Sequence, residues 1–101
     1  MTPDQVSTWA QQLDGVREST RDGLRRWEVH GRMVARQVDD ETLVIRSDFD
    51  ARERLLAAHP ETFSVSPRYE SHQTVVADLR GERAAIERAI SSAWELQTSH
   101  R

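Results

Sequence analysis

From Leu24 to Arg46 the pattern of apolar residues shortens toward a period of two, in segments of five to seven residues separated by short polar turns. That pattern suits strands with one buried face. Leu24–Val29 and Arg32–Val38 flank His30-Gly31, a tight hairpin turn, and Asp39-Asp40-Glu41 makes a second, acidic turn into Thr42–Arg46. Branched Val44 and Ile45 favour the extended backbone of that third strand. The three strands form an antiparallel meander, and the polar stretch 17–23, with Gly23 as punctuation, reads as a loop leading into it.

On either side of this block the period changes to that of a helix. Thr2 and Gln5 have capping-box spacing, Pro3 occupies the first helical position, and Val6, Trp9, Ala10 and Leu13 make one apolar stripe, ended by Asp14-Gly15. Ser47 to Asp50 supplies several N-caps, Asp50 with Glu53 among them, for a second helix reaching Ala58 and stopped by His59-Pro60. Leu55 and Leu56 are its inward residues. Thr62–Val65 and Gln73–Leu79 read as strands, the latter with Val75, Ala77 and Leu79 on one face. After Gly81 a last helix carries Ile86, Ala89, Ile90, Ala93 and Trp94 inward. The order α-β-β-β-α-β-β-α predicts an α+β two-layer sandwich, an antiparallel sheet with helices on one face.

With 101 residues, this is one domain spanning 1–101. The absence of cysteine excludes disulfides, thiol catalysis and cysteine-ligated zinc. No secretory signal or membrane-length apolar run is visible, so a cytoplasmic protein without membrane contact is expected.

Charge gives the first functional hint. All 14 cationic residues are Arg, set against 17 carboxylates for a net charge of −3. Residues 17–36 hold six Arg against Glu18, Asp22 and Glu28, a local +3, while residues 37–50 come to −4. Clustering of this kind is either an ordinary solvated surface or a basic patch for an anionic partner.

Several blocks together resemble the MmcQ/YjbR family: Gly31-Arg32-Met33-Val34-Ala35-Arg36, then Arg52-Glu53-Arg54-Leu55-Leu56 before Pro60, Phe63, Pro67-x-Tyr69, Ser71-His72 with Val75, and Ala93-Trp94-Glu95-Leu96. The resemblance covers nearly the whole chain. It departs at Arg32, where the family has Lys, at Val34, where it has an aromatic, and at Thr74, where an aromatic is frequent. It implies a bacterial two-layer domain whose paired hairpins form a double wing read as DNA-binding, with no reaction and no cofactor attached.

The residues themselves argue against catalysis. His30, His59, His72 and His100 have no helical i+4 partner, so no zinc spacing arises. Asp48, Asp50 and Glu53 fail as a calcium loop, because Arg52 and His59 stand where ligands belong, and helix capping accounts for them. A nucleophile elbow and a phosphate-cradling glycine loop are both missing. Neither metal nor cofactor is expected, and the protein is read as non-catalytic.

Binding remains. Arg25, Arg26, Arg32 and Arg36 surround Trp27 in the first hairpin, and guanidinium groups can hold phosphates while an indole can stack on a base. A strand Trp in a small domain more often lies in the core, as Trp9 and Trp94 do on their helical stripes. A two-residue turn at His30-Gly31 sets Val29 opposite Arg32 and Trp27 opposite Val34, with Val38 also inward and Arg32 and Arg36 at the rim. A three-residue turn instead sends Met33 and Ala35 inward and Arg26, Arg32 and Arg36 outward. The position of the family's aromatic, at 34, favours the first.

The leading expectation is weak, non-specific DNA binding by Arg25, Arg26, Arg32 and Arg36 in a monomer or weak dimer. The alternative is a metabolite or drug pocket between sheet and helices, lined by Trp27, Tyr69 and His72. For the last two, a plainer role is open: Tyr69 packs on the last helix with its hydroxyl on a loop carbonyl, and His72 satisfies a turn.

Overall fold

The computed structural model describes residues 1–99; His100 of the sequence reading lies outside them. Three helices, α1 (Pro3–Ala10), α2 (Phe49–Ala58) and α3 (Arg83–Thr98), pack with six strands: β1 (Val16–Arg21), β2 (Leu24–Val29), β3 (Arg32–Asp39), β4 (Thr42–Arg46), β5 (Phe63–Ser64) and β6 (Thr74–Asp78). All neighbouring strands are antiparallel, in the order β1-β2-β3-β4-β6-β5. The α+β class and the antiparallel sheet are as the sequence predicts, with one strand more in front.

That extra strand is β1, and it corrects the reading of 17–23 as a loop. Of its six residues only Val16 is even partly buried, so no apolar alternation announces it. What makes it a strand is the turn after it. Asp22 (φ 55°) and Gly23 (φ 77°) take the left-handed conformation that lets a two-residue hairpin follow the twist of the sheet, as His30 (φ 54°) and Gly31 (φ 75°) do one hairpin later. Backbone pairing along β2, from Val16↔Val29 to Arg21↔Leu24, then does what side-chain burial does elsewhere.

The β2–β3 hairpin uses both of the expected registers in turn. Next to the two-residue turn, Val29 faces Arg32 and Glu28 faces Met33; a bulge then inserts Val34, and Trp27 faces Ala35 instead. The extra residue lets Val34 and Ala35 both be buried. A second irregularity between Gln37 and Asp39 turns Val38 out to solvent, 41% exposed, which corrects its inward placement.

The capping box of α1 forms as the spacing predicts, Thr2 accepting from the Gln5 amide and Gln5 Oε1 from the Thr2 amide. The helix ends at Ala10, so Leu13 packs from the following turn. Asp48, out of the several caps available, starts α2 by accepting from the Ala51 amide at 2.7 Å. The helices lie over one face of the sheet. There Trp27, Val29, Val34, Leu43, Ile45, Phe63, Val75, Ala77 and Leu79 meet Val6 and Ala10 of α1 and Ala85, Ile86, Ala89, Ile90 and Ala93 of α3 in one core. Trp9 and Trp94 are only half-buried at its edge, each reaching a backbone carbonyl, Glu87 and Asp14 respectively, with its indole N–H.

Candidate functional site

Strand registers sort the arginines of the first hairpins onto two faces. On the side turned away from the helices, β1 places Arg17 and Arg21, β2 places Arg26 and Glu28, and β3 places Met33 and Arg36, since Arg17 pairs with Glu28, Arg21 with Leu24, and Arg26 with Arg36. Val44 continues this face opposite Arg36 and is 7% exposed although no helix covers it. Its cross-strand neighbours are Arg36 and Val76. Four guanidinium groups therefore stand on three adjacent strands against one carboxylate, Glu28, which pairs with Arg26 at 3.2 Å. Asp39 and Asp78 share this face only at its far end, and Asp78 is engaged by Arg80 at 3.0 Å.

Of the four arginines expected to bind together, two converge. Arg26 and Arg36 are direct cross-strand partners. Arg25 points to the helix side, where Nη2 donates to Asp4 at 2.6 Å and Nη1 to Ser7 Oγ at 2.9 Å; the Asp4 hydrogen bond holds its pKa above the usual arginine value. Arg32 sits at the hairpin tip opposite Val29, exposed and off the bare face. Arg17 and Arg21, which complete the patch, lie in the polar stretch whose composition alone reads as a loop. The Asp22-Gly23 dipeptide was the signal that could have found them, because a type I′ turn implies a strand on each side.

Trp27 is fully buried on the covered face and donates its indole N–H to Glu18 Oε1 at 2.8 Å. The same oxygen accepts from Ser7 Oγ and Gln11 Nε2, so one carboxylate of β1 ties α1 to the sheet. Trp27 is thus remote in environment from Tyr69 and His72. Those two lie in the segment between β5 and β6, with ring centroids 5.3 Å apart, Tyr69 half-buried in a 3₁₀ turn (Pro67–Tyr69) and His72 exposed. Among the described residues the Tyr69 hydroxyl has no hydrogen-bond partner, which corrects the expected bond to a loop carbonyl.

Arg52 fastens this segment, a role hidden in the sequence because a helical arginine reads as surface. It is 6% exposed, donates from Nη1 to the carbonyls of His72 (2.9 Å) and Thr74 (3.4 Å), and stacks 4.8 Å from the centre of the Phe49 ring. Its Nε is buried without a partner among the described residues.

A half-open cavity of about 600 Å³ lies elsewhere on the covered side, between α2 and α3 above Ile45 and Val75. Trp27, Tyr69 and His72 do not line it. Among the described residues no group of three or more His, Asp or Glu is placed to hold a metal, and no helix is long and apolar enough to cross a membrane. No family model, curated protein or solved structure matches the chain.

Proposed function

We propose that this chain is a non-catalytic cytoplasmic domain of MmcQ/YjbR type that binds DNA, weakly and without sequence preference, through the bare face of its sheet. Arg17, Arg21, Arg26 and Arg36 are the phosphate ligands. The observation that carries this reading is the direct opposition of Arg26 and Arg36. Like charges facing each other across an antiparallel pair cost roughly 0.2–1 kcal/mol, and Glu28 relieves only one of them. A polyanion relieves both and gathers Arg17 and Arg21 with them. Along β1 those two are separated by roughly 14 Å, at about 3.4 Å per strand residue, so one phosphate cannot satisfy the patch and a run of phosphates can. The resemblance of residues in β3, α2 and α3 to the MmcQ/YjbR family is the second support for this reading.

Chemistry limits the mode. The bare face carries no aromatic residue among Arg17, Ser19, Arg21, Leu24, Arg26, Glu28, Met33, Arg36 and Val44, so bases have nothing to stack on. Contact is with the backbone, and backbone contact positions without specifying sequence. With four phosphates at most neutralised, the log–log salt slope for duplex is about −3 to −4. Fluorescence anisotropy at low salt tests this: Arg17→Glu with Arg36→Glu abolishes binding to duplex DNA, whereas Arg32→Glu, off the patch, lowers affinity by about twofold or less, as a distant screened charge should. Absence of binding by the wild type at low salt, or equal losses in both variants, overturns the reading.

A further inference from the structure

On the opposite side of the sheet, the cavity between α2 and α3 has a chemistry of its own. The two helices run antiparallel. Helix α2 begins where Arg52 reaches the carbonyls of His72 and Thr74 and descends toward β5; α3 begins where the Glu82 amide meets Thr62 Oγ1 and ends where Gln97 donates to the Met33 carbonyl. The groove between them has Ile45 and Val75 as its floor and Leu55 and Leu96 on its walls, with Ala89 and Ala93 keeping α3 narrow. Its volume, about 600 Å³, falls within the range of small-molecule sites.

The charges at its edges are unequal at the two ends. Arg54 of α2 and Arg88 of α3 line the lower half with His59, and neither arginine forms an ion pair among the described residues. Asp48, Glu95 and Arg46 line the upper half, Asp48 capping α2 and Arg46 donating from Nη1 to the carbonyls of Ser47 and Gln73, so that end carries a net −1. Arg88 and Glu95 lie two turns apart on one helix, a separation of about 10 Å. An apolar trough with two unpaired guanidinium groups at one end and a net negative charge at the other, where two carboxylates face Arg46, discriminates among ligands. It attracts one anionic head, buries a hydrocarbon body, and sets a second anionic group against an end of net negative charge.

We propose that this cleft binds a medium-chain monocarboxylate, its head between Arg54 and Arg88 and its chain lying over Ile45 and Val75 toward Leu96. The site is separate from the arginine face, so the two activities fail independently.

Two-dimensional amide NMR with octanoate, octanol and suberate as probes tests it. Octanoate shifts the amides of Leu55, Ala89 and Ala93 in a saturable manner at millimolar concentration. Octanol, lacking the charge, and suberate, carrying a second one, each bind at least tenfold more weakly. Arg54→Gln with Arg88→Gln, both exposed positions, weakens octanoate at least tenfold and brings it level with octanol. Ser92→Trp, which fills the groove from an exposed position on α3, removes the shifts while an unchanged melting temperature reports an intact fold. Absence of saturable shifts, suberate binding as tightly as octanoate, or octanol matching octanoate on the wild type overturns the proposal without any variant. Loss of octanoate shifts with DNA binding intact separates this failure from that of the arginine face.

Discussion

The covered face of the sheet takes every side chain that needs to leave water, and the bare face keeps those that can stay in it. Trp27, Leu43, Ile45, Val75 and Ala77 lie at no more than 1% exposure under the helices, whereas Leu24 and Val38 on β2 and β3 remain about two-fifths exposed. Strand alternation alone does not account for the contrast, because Val44 is buried on the bare side. The difference lies in what does the covering. Helices supply a rigid apolar lid and a close-packed core, while on the other side Val44 lies between Arg36 and Val76 on a face that is otherwise mostly polar. One face therefore holds the fold together, and the other is available for a partner.

The sharpest way to break that contrast is to hollow each face in turn. Trp27→Ala on the covered face costs about 3–5 kcal/mol, near the whole stability of a small domain, and gives a steep fall in urea midpoint or no folded protein. Val44→Ala on the bare face costs about 1–1.6 kcal/mol for two lost methylene equivalents. Equal losses in chemical denaturation would mean that the bare face packs Val44 as a core does.

A second measurement concerns the polar tie on the covered side. Glu18→Ala leaves the buried Trp27 indole N–H without its acceptor and costs about 1–3 kcal/mol, whereas Glu28→Ala, which frees an exposed arginine on the bare face, stays within about 0.5 kcal/mol. Thermal melts of the two variants distinguish a carboxylate that anchors α1 from one that only tempers a charged surface.

Smaller still is Tyr69→Phe. Since its hydroxyl is unpaired among the described residues, the change lies within about ±0.5 kcal/mol, and a larger loss by equilibrium unfolding would reveal a bond formed in solution. The smallest effect is with pH. The hydrogen bonds from Arg80 to Asp78, side chain first and backbone second, hold that carboxyl below its usual value. A depressed folded pKa gives stability that is fully present above the ordinary carboxylate pKa of about 3.9 and is lost as pH falls through the folded value. Melting temperature should drop more steeply below that point in the wild type than in Asp78→Asn, and the gap should narrow in high salt because the pair is exposed.

Much of the molecule was legible in its residues. Thr2, Pro3 and Gln5 specified the start of α1, His59-Pro60 the end of α2, and Val75, Ala77 and Leu79 the inward side of β6, because caps, breakers and periodicity act over a few neighbouring residues and require nothing distant. The same local rules gave the two-residue turn at His30-Gly31. They could not give β1, whose side chains are nearly all in water and whose conformation depends on pairing with β2. Nor could they place the bulge at Val34, where register yields to the need to bury Val34 and Ala35 together beneath α3. The bulge decides that Arg36 stands opposite Arg26, and β1 decides that Arg17 and Arg21 stand beside them. The cleft between α2 and α3 is likewise set by how far two helices separate over Ile45 and Val75. Arg52 gives the clearest physical reason for the division. Local sequence specifies which backbone each segment prefers, but whether a charged side chain faces water or spans to a distant carbonyl is settled only when the segments have packed.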